Sequence, residues 1–118
     1  MSDAANKKFR KEMNSGTASL VMLSVLNAAS EPLYGYQIAK SVTLNDVIMM
    51  KQGALYPVLR SLESNGLLDS HVEPSVSGPP RRYYRITESG RRTLVEWRKI
   101  WDQTKAFVDV SLKGTAND

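Results

Sequence analysis

Apolar residues change their spacing along the chain, and the changes divide it into helices and strands. Over residues 17–29, Leu20, Val21, Met22, Leu23, Val25 and Leu26 leave hardly a polar position. That predicts a helix with more than one face buried. A chain of 118 residues supports one compact core, so the second face predicts a partner subunit. Beyond Pro32, residues 34–42 place Gly35, Ile38, Ala39 and Val42 at i, i+3, i+4 and i+7, the spacing of a short second helix. Its opposite face carries Tyr36, Gln37, Lys40 and Ser41. Residues 43–50 are β-branched enough at Val47 and Ile48 to predict a short strand. A third helix follows from about Gln52 to Asn65, closed by Gly66 in the left-handed position after a helix.

The period then shifts. Residues 67–73 and 81–87 read as strands, with Tyr84 and Ile86 alternating against Tyr83, Arg85 and Thr87. Between them, Pro74-Ser75-Val76-Ser77-Gly78-Pro79-Pro80 predicts a long hairpin tip stiffened by proline. Thr87 is placed to cap a last helix starting at Glu88, in which Leu94, Trp97, Trp101, Thr104 and Val108 keep a three-four spacing. Residues 1–16 form a polar leader with a basic cluster, Lys7, Lys8, Arg10 and Lys11, and residues 114–118 a frayed tail. The expected fold is mainly α with a small β-hairpin: a winged helix-turn-helix domain over 17–87, then a C-terminal dimerisation helix over 88–113.

Composition narrows the chemistry. Sixteen Lys and Arg against 12 Asp and Glu give a net charge of +4, which attracts polyanions. The absence of Cys excludes disulfides, zinc-thiolate sites and thiol nucleophiles. No run approaches the roughly 18 apolar residues of a membrane helix, and the polar start does not resemble a signal peptide. A soluble, cytoplasmic protein without membrane contact is expected. Phosphate-binding Gly-rich loops, nucleophile elbows and metal-ligand clusters are missing, which argues against an enzyme, a cofactor or a metal. His71, the single histidine, has no second ligand in register and is expected on a strand near the wing.

On the third helix Leu55, Val58, Leu59 and Leu62 form the inward stripe, and Gln52, Tyr56 and Arg60 recur on the outward side. Gln bonds adenine, Arg bonds guanine bidentately, and a phenol or backbone amide reaches phosphate. Lys51 adds a phosphate contact just before the helix. The same pattern also suits a plain solvated helix. Element order favours DNA, because the wing follows at once and carries Arg81 and Arg82 at the base of a stiff tip. A winged helix used for protein contacts, or for nucleic acid without sequence preference, is the alternative.

Three blocks then resemble the signatures of the PadR family of regulators: Tyr34-Gly35-Tyr36-Gln37-Ile38; Gly53-Ala54-Leu55-Tyr56-Pro57-Val58-Leu59-Arg60-Ser61-Leu62-Glu63 with Gly66-Leu67-Leu68; and Arg81-Arg82-Tyr83-Tyr84-Arg85-Ile86-Thr87-Glu88-Ser89-Gly90. The length and single C-terminal helix resemble its short branch. The resemblance implies a homodimeric repressor on a palindromic double-stranded operator, with the first and last helices at the interface. It puts Gln52, Gly53, Tyr56 and Arg60 on the recognition helix and Arg81 with Arg82 on the wing, and makes Leu62 and Tyr84 structural; Lys51, and Tyr36 and Lys40 on the polar face of the second helix, are further candidates for DNA contact. Lys51 departs from the Ser or Thr cap common in the family, and Pro57 either kinks the helix or marks its first turn.

Trp97 and Trp101 lie one turn apart and face the same way. Dimer packing is the plain reading of such a pair. Trp101 also stands at the offset from the Thr87 to Gly90 block where drug-sensing relatives stack a ligand, which implies a small aromatic effector. Met22, Met49 and Met50 are expected to fill gaps in the core.

Overall fold

The computed structural model describes residues 2–44, 47–48 and 52–116. The elements run α1 (Ser2–Ala28), β1 (Leu33–Tyr34), α2 (Gly35–Ser41), β2 (Thr43–Leu44), β3 (Val47–Ile48), α3 (Gln52–Ser64), β4 (Leu68–Ser75), β5 (Gly78–Ile86) and α4 (Glu88–Ala116). Mostly helical, with a small antiparallel sheet, the chain has the winged-helix layout its pattern predicts.

The core forms where the apolar stripes converge. Met22, Leu23 and Leu26 of α1, Ile38 and Val42 around α2, Leu55, Leu59 and Leu62 of α3, and Leu68, Tyr84 and Ile86 of the sheet are all buried. Each helix contributes positions three or four apart, and each strand alternate positions, so one face of every element is removed from water. Met22 fills the core as expected; Met49 and Met50 lie outside the described residues.

Several boundaries differ from the sequence expectation. The first helix begins at Ser2 instead of near Thr17, so the basic stretch from Lys7 to Lys11 is helical. Lys, Arg, Glu and Ala are good helix formers; polarity concealed a helix that simply extends past the core. The last helix continues through Ala116, beyond the expected end near Gly114. The stretch after α2 forms two short paired strands, Thr43 opposite Ile48 and Leu44 opposite Val47. In the wing the tip is shorter than seven residues, because β4 and β5 pair as far as Ser75 and Gly78. The prolines cluster where the register shifts between Glu73 and Ser75, a position that tolerates a residue without an N–H. A third strand, β1, pairs Leu33 with Tyr84 and Tyr34 with Tyr83, making the sheet order β1-β5-β4.

Pro57 sits inside α3, so the helix starts upstream of it and Pro57 is not in the first turn. Lacking an N–H, it leaves the Gly53 carbonyl without its helical donor. At the other end Gly66 takes φ 77°. Its N–H bonds Glu63 O at 2.9 Å and the Leu67 N–H bonds Leu62 O at 2.9 Å, the reciprocal pair of a Schellman stop.

Thr87 caps α4 as its sequence suggests: its Oγ1 accepts the Gly90 N–H at 2.9 Å. The same hydroxyl donates to Gly66 O at 2.7 Å, and the Thr87 N–H bonds Leu67 O at 3.1 Å. Gly90 lies so close to Leu67 O and Ile86 that no Cβ fits. The end of α3, the foot of the wing and the start of α4 are thereby one junction.

From this junction α4 runs on past the core beside the middle of α1, residues 9–20 of α1 facing residues 97–109 of α4. The radius of gyration is 16.8 Å, against about 13.5 Å for a compact domain of this size. The difference is the two-helix arm. Because the obstacle at position 90 is backbone, Gly90→Ala is expected to cost about 1 to 3 kcal/mol, read as a lowered urea midpoint at unchanged slope.

Candidate nucleic-acid interface

Leu55 and Leu59 have no accessible surface, Leu62 is buried and Val58 half-buried. Opposite them Gly53, Tyr56 and Arg60 are exposed. Gln52 is the first residue of α3, and Lys51 lies outside the described residues. Tyr56 is only 37% exposed, and its ring lies against Gly35 at the start of α2. A Cβ on Gly35 would overlap the phenol oxygen. Tyr56 thus packs α3 onto α2 while presenting an edge to solvent.

On α2, Tyr36 and Lys40 are exposed, with Lys40 Nζ 5.8 Å from the Tyr36 ring centroid. Gln37 turns back instead: its Oε1 accepts the Tyr34 N–H at 3.0 Å and fixes the first turn.

Alternation separates the two wing arginines. Arg82 shares the face of Tyr84 and Ile86, toward α3, and its Nη1 donates to Ser70 Oγ at 3.0 Å. Ser70 Oγ in turn donates to Glu63 Oε2 of α3 at 2.6 Å. Arg81 points to the other face, its guanidinium 4.5 Å from the centroid of the Tyr34 ring. That outer face is a paired surface: Tyr34 meets Tyr83 edge-on at 5.4 Å, His71 stacks on Tyr83 at 5.6 Å, and Arg85 bonds Asp69 at 2.7 and 3.3 Å. His71 is a β4 residue, with Nε2 3.6 Å from Glu73. Sequence reasoning missed Glu63, Ser70 and Tyr34, although the period of two already put Arg82 on the Tyr84 face.

Charges from α3 and the wing converge on Tyr84. Burial pushes its phenol above the ordinary range; Arg82 and Arg60 pull it down, while Glu63 and Tyr56 add to the rise. A second feature lies along the arm. An open groove of about 760 Å³ runs between α1 and α4, lined by Phe9, Met13 and Leu20 on one side and Trp97, Trp101 and Val108 on the other. Both tryptophans face it. Among the described residues, no cluster of His, Asp and Glu suits a metal, and no helix is long and apolar enough to cross a membrane.

Helices α1 to α3 followed by a β-hairpin define a winged helix-turn-helix protein. The family model described as Transcriptional regulator PadR-like family matches residues 22–96. Transcriptional regulator Rv3488 of Mycobacterium tuberculosis is 34% identical over 84 residues, spanning 70% of this chain and 77% of that protein. A PadR family transcriptional regulator from Eggerthella lenta superposes with a TM-score of 0.80 at 36% identity, covering 93% of this chain and 94% of that one. Bacillus subtilis PadR, solved in complex with operator DNA, has a TM-score of 0.59 at 23% identity over 68% of this chain and 45% of that chain, a likeness of fold. The chain belongs to the PadR-like family of transcriptional regulators, which are not enzymes.

The raised Tyr84 ionisation gives a signed pH dependence. A neutral phenol favoured by folding contributes stability that is fully present below its unfolded value of about 10 and is lost as pH rises through the folded value. Unfolding free energy is therefore expected to fall above about pH 10, with a smaller alkaline loss in Tyr84→Phe, measured by denaturant titration across pH.

Proposed function

We propose that the protein is a sequence-specific transcriptional repressor that binds a palindromic operator as a homodimer in the cytoplasm and responds to a small aromatic effector. The observation that carries the reading is the convergence of two basic elements: Arg60, exposed on α3, and Arg82, on the α3-facing side of the wing, both lie near enough to Tyr84 to pull on its phenol. Arg60 supplies a fork for guanine or phosphate, Tyr56 an edge and hydroxyl beside it, and Gln52 the adenine-type donor and acceptor at the leading end of the helix. Tyr36 and Lys40 flank this face from α2, and Arg81 lies on the far side of the wing. The operator complex of Bacillus subtilis PadR, which shares the fold, supports a DNA partner.

Dimerisation is supported by the arm. Along α4, Ile100, Phe107, Val110 and Leu112 are each exposed, Phe107 at 77%, and the groove beside α1 is largely apolar. A second copy offering the same two helices covers such a surface with two-fold symmetry. Half-sites are then about 34 to 36 Å apart, one helical turn of DNA or a multiple of it. Trp97 and Trp101 set an aromatic wall in a groove of a size that suits a small molecule.

In competition gel shifts, the promoter of the protein's own gene is expected to displace the labelled probe far better than random duplex; equal competition would leave a non-specific module. Arg60→Ala is expected to cost about 1 to 3 kcal/mol at its own base position if it reads an edge, and wild-type affinity in that variant would remove Arg60 from the interface. A planar cationic dye is expected to quench Trp97 and Trp101 emission, and Trp101→Ala to abolish most of the change.

A further inference from the structure

We propose that Ser70 is a positioning residue that holds Arg82 ready for a phosphate of the DNA backbone while keeping it out of a direct ion pair with Glu63. This rests on the DNA-binding reading above. A serine hydroxyl has one proton and two lone pairs. At Ser70 the proton is committed to Glu63 Oε2, at a distance of 2.6 Å typical of a carboxylate acceptor. The hydroxyl can then only accept from Arg82, and it does so from Nη1 at 3.0 Å.

The consequence concerns charge. A guanidinium carries five N–H donors; Arg82 places one on a neutral oxygen, and its other N–H groups make no hydrogen bond among the described residues. Arg82 and Glu63 form no direct ion pair among those residues, although each reaches the same hydroxyl. The ladder sets this spacing: Ser70 lies opposite Tyr84, and Arg82 opposite Val72, two residues nearer the tip and on the same face. Glu63 stands one turn beyond Arg60 on α3. The relay therefore fixes the wing arginine relative to the helix that reads DNA, and Ser70 separates the cation from the anion that would otherwise neutralise it.

Removing the hydroxyl lets the carboxylate and guanidinium close on each other, and the phosphate contact is lost. The test is the dependence of affinity on salt, measured by fluorescence anisotropy on a mixed-sequence duplex several helical turns long. Each phosphate contact contributes about one to the slope of log K against log salt. Arg82→Ala is expected to lower the slope by about one, and Ser70→Ala by nearly as much. Ser70→Thr keeps the hydroxyl and is expected to match the wild type. The double variant Ser70→Ala with Glu63→Gln is expected to recover the slope, because no carboxylate remains to capture Arg82. A purely structural role for Ser70 predicts neither the rescue nor the slope change. A wild-type slope in Ser70→Ala, or a loss of slope that persists in the Glu63→Gln background, overturns the proposal. A wild-type protein without salt-dependent binding would instead remove the DNA reading, and the proposal with it.

Discussion

Where α3 ends and α4 begins, two segments twenty-one residues apart in sequence meet backbone to backbone. The Thr87 hydroxyl bonds Gly66 O, its N–H bonds Leu67 O, and Gly90 leaves room for both by having no side chain. Every functional surface is referred to this junction. Gly66 sets the direction in which α3 stops and β4 leaves, the two strands of the wing start and finish here, and α4 takes its heading from Thr87. A bulky residue at position 90 disturbs the angle between the third helix and the wing before it disturbs either element alone.

The wing and α3 are coupled again nearer the solvent, through Glu63, Ser70 and Arg82. The two couplings differ in kind. The first is backbone geometry in a partly buried site, where a lost hydrogen bond leaves a costly unsatisfied group. The second is a relay of side chains, Glu63 and Ser70 half-buried and Arg82 exposed, so water competes at its arginine end. A relay of that sort contributes little to folding and is better suited to orienting a charge. The outer face of the wing, with Tyr34, His71, Tyr83 and the Asp69–Arg85 pair, has its groups engaged with one another.

Much of this architecture is legible in the amino-acid order. The stripe of Leu55, Leu59 and Leu62, the alternation through Tyr84 and Ile86, the stop at Gly66 and the cap at Thr87 each follow from local rules, and each is found in place. The misses have common causes. The helical leader from Ser2 was hidden because its residues favour a helix without burying one face against the core. The strand at Leu33 and Tyr34 was hidden because two residues carry no period; only the edge of β5 makes them a strand. The hairpin tip is shorter than its prolines suggest because the bulge beside Glu73 accommodates them within the paired strands.

The sequence by itself determined which faces are apolar, where α3 stops and α4 starts, and which family the chain resembles, since these depend on neighbours within a few residues. Tertiary structure alone decided how outward-facing side chains are used. Tyr56, Gln37 and Arg81 stand on polar faces of their own elements and Arg82 on the Tyr84 face of β5, yet Tyr56 packs on Gly35, Gln37 caps α2, Arg81 rests on Tyr34, and Arg82 reaches Ser70. The reason is physical: periodicity records whether a side chain leaves its element toward water or toward the core, while its partner is set by another segment brought near by folding.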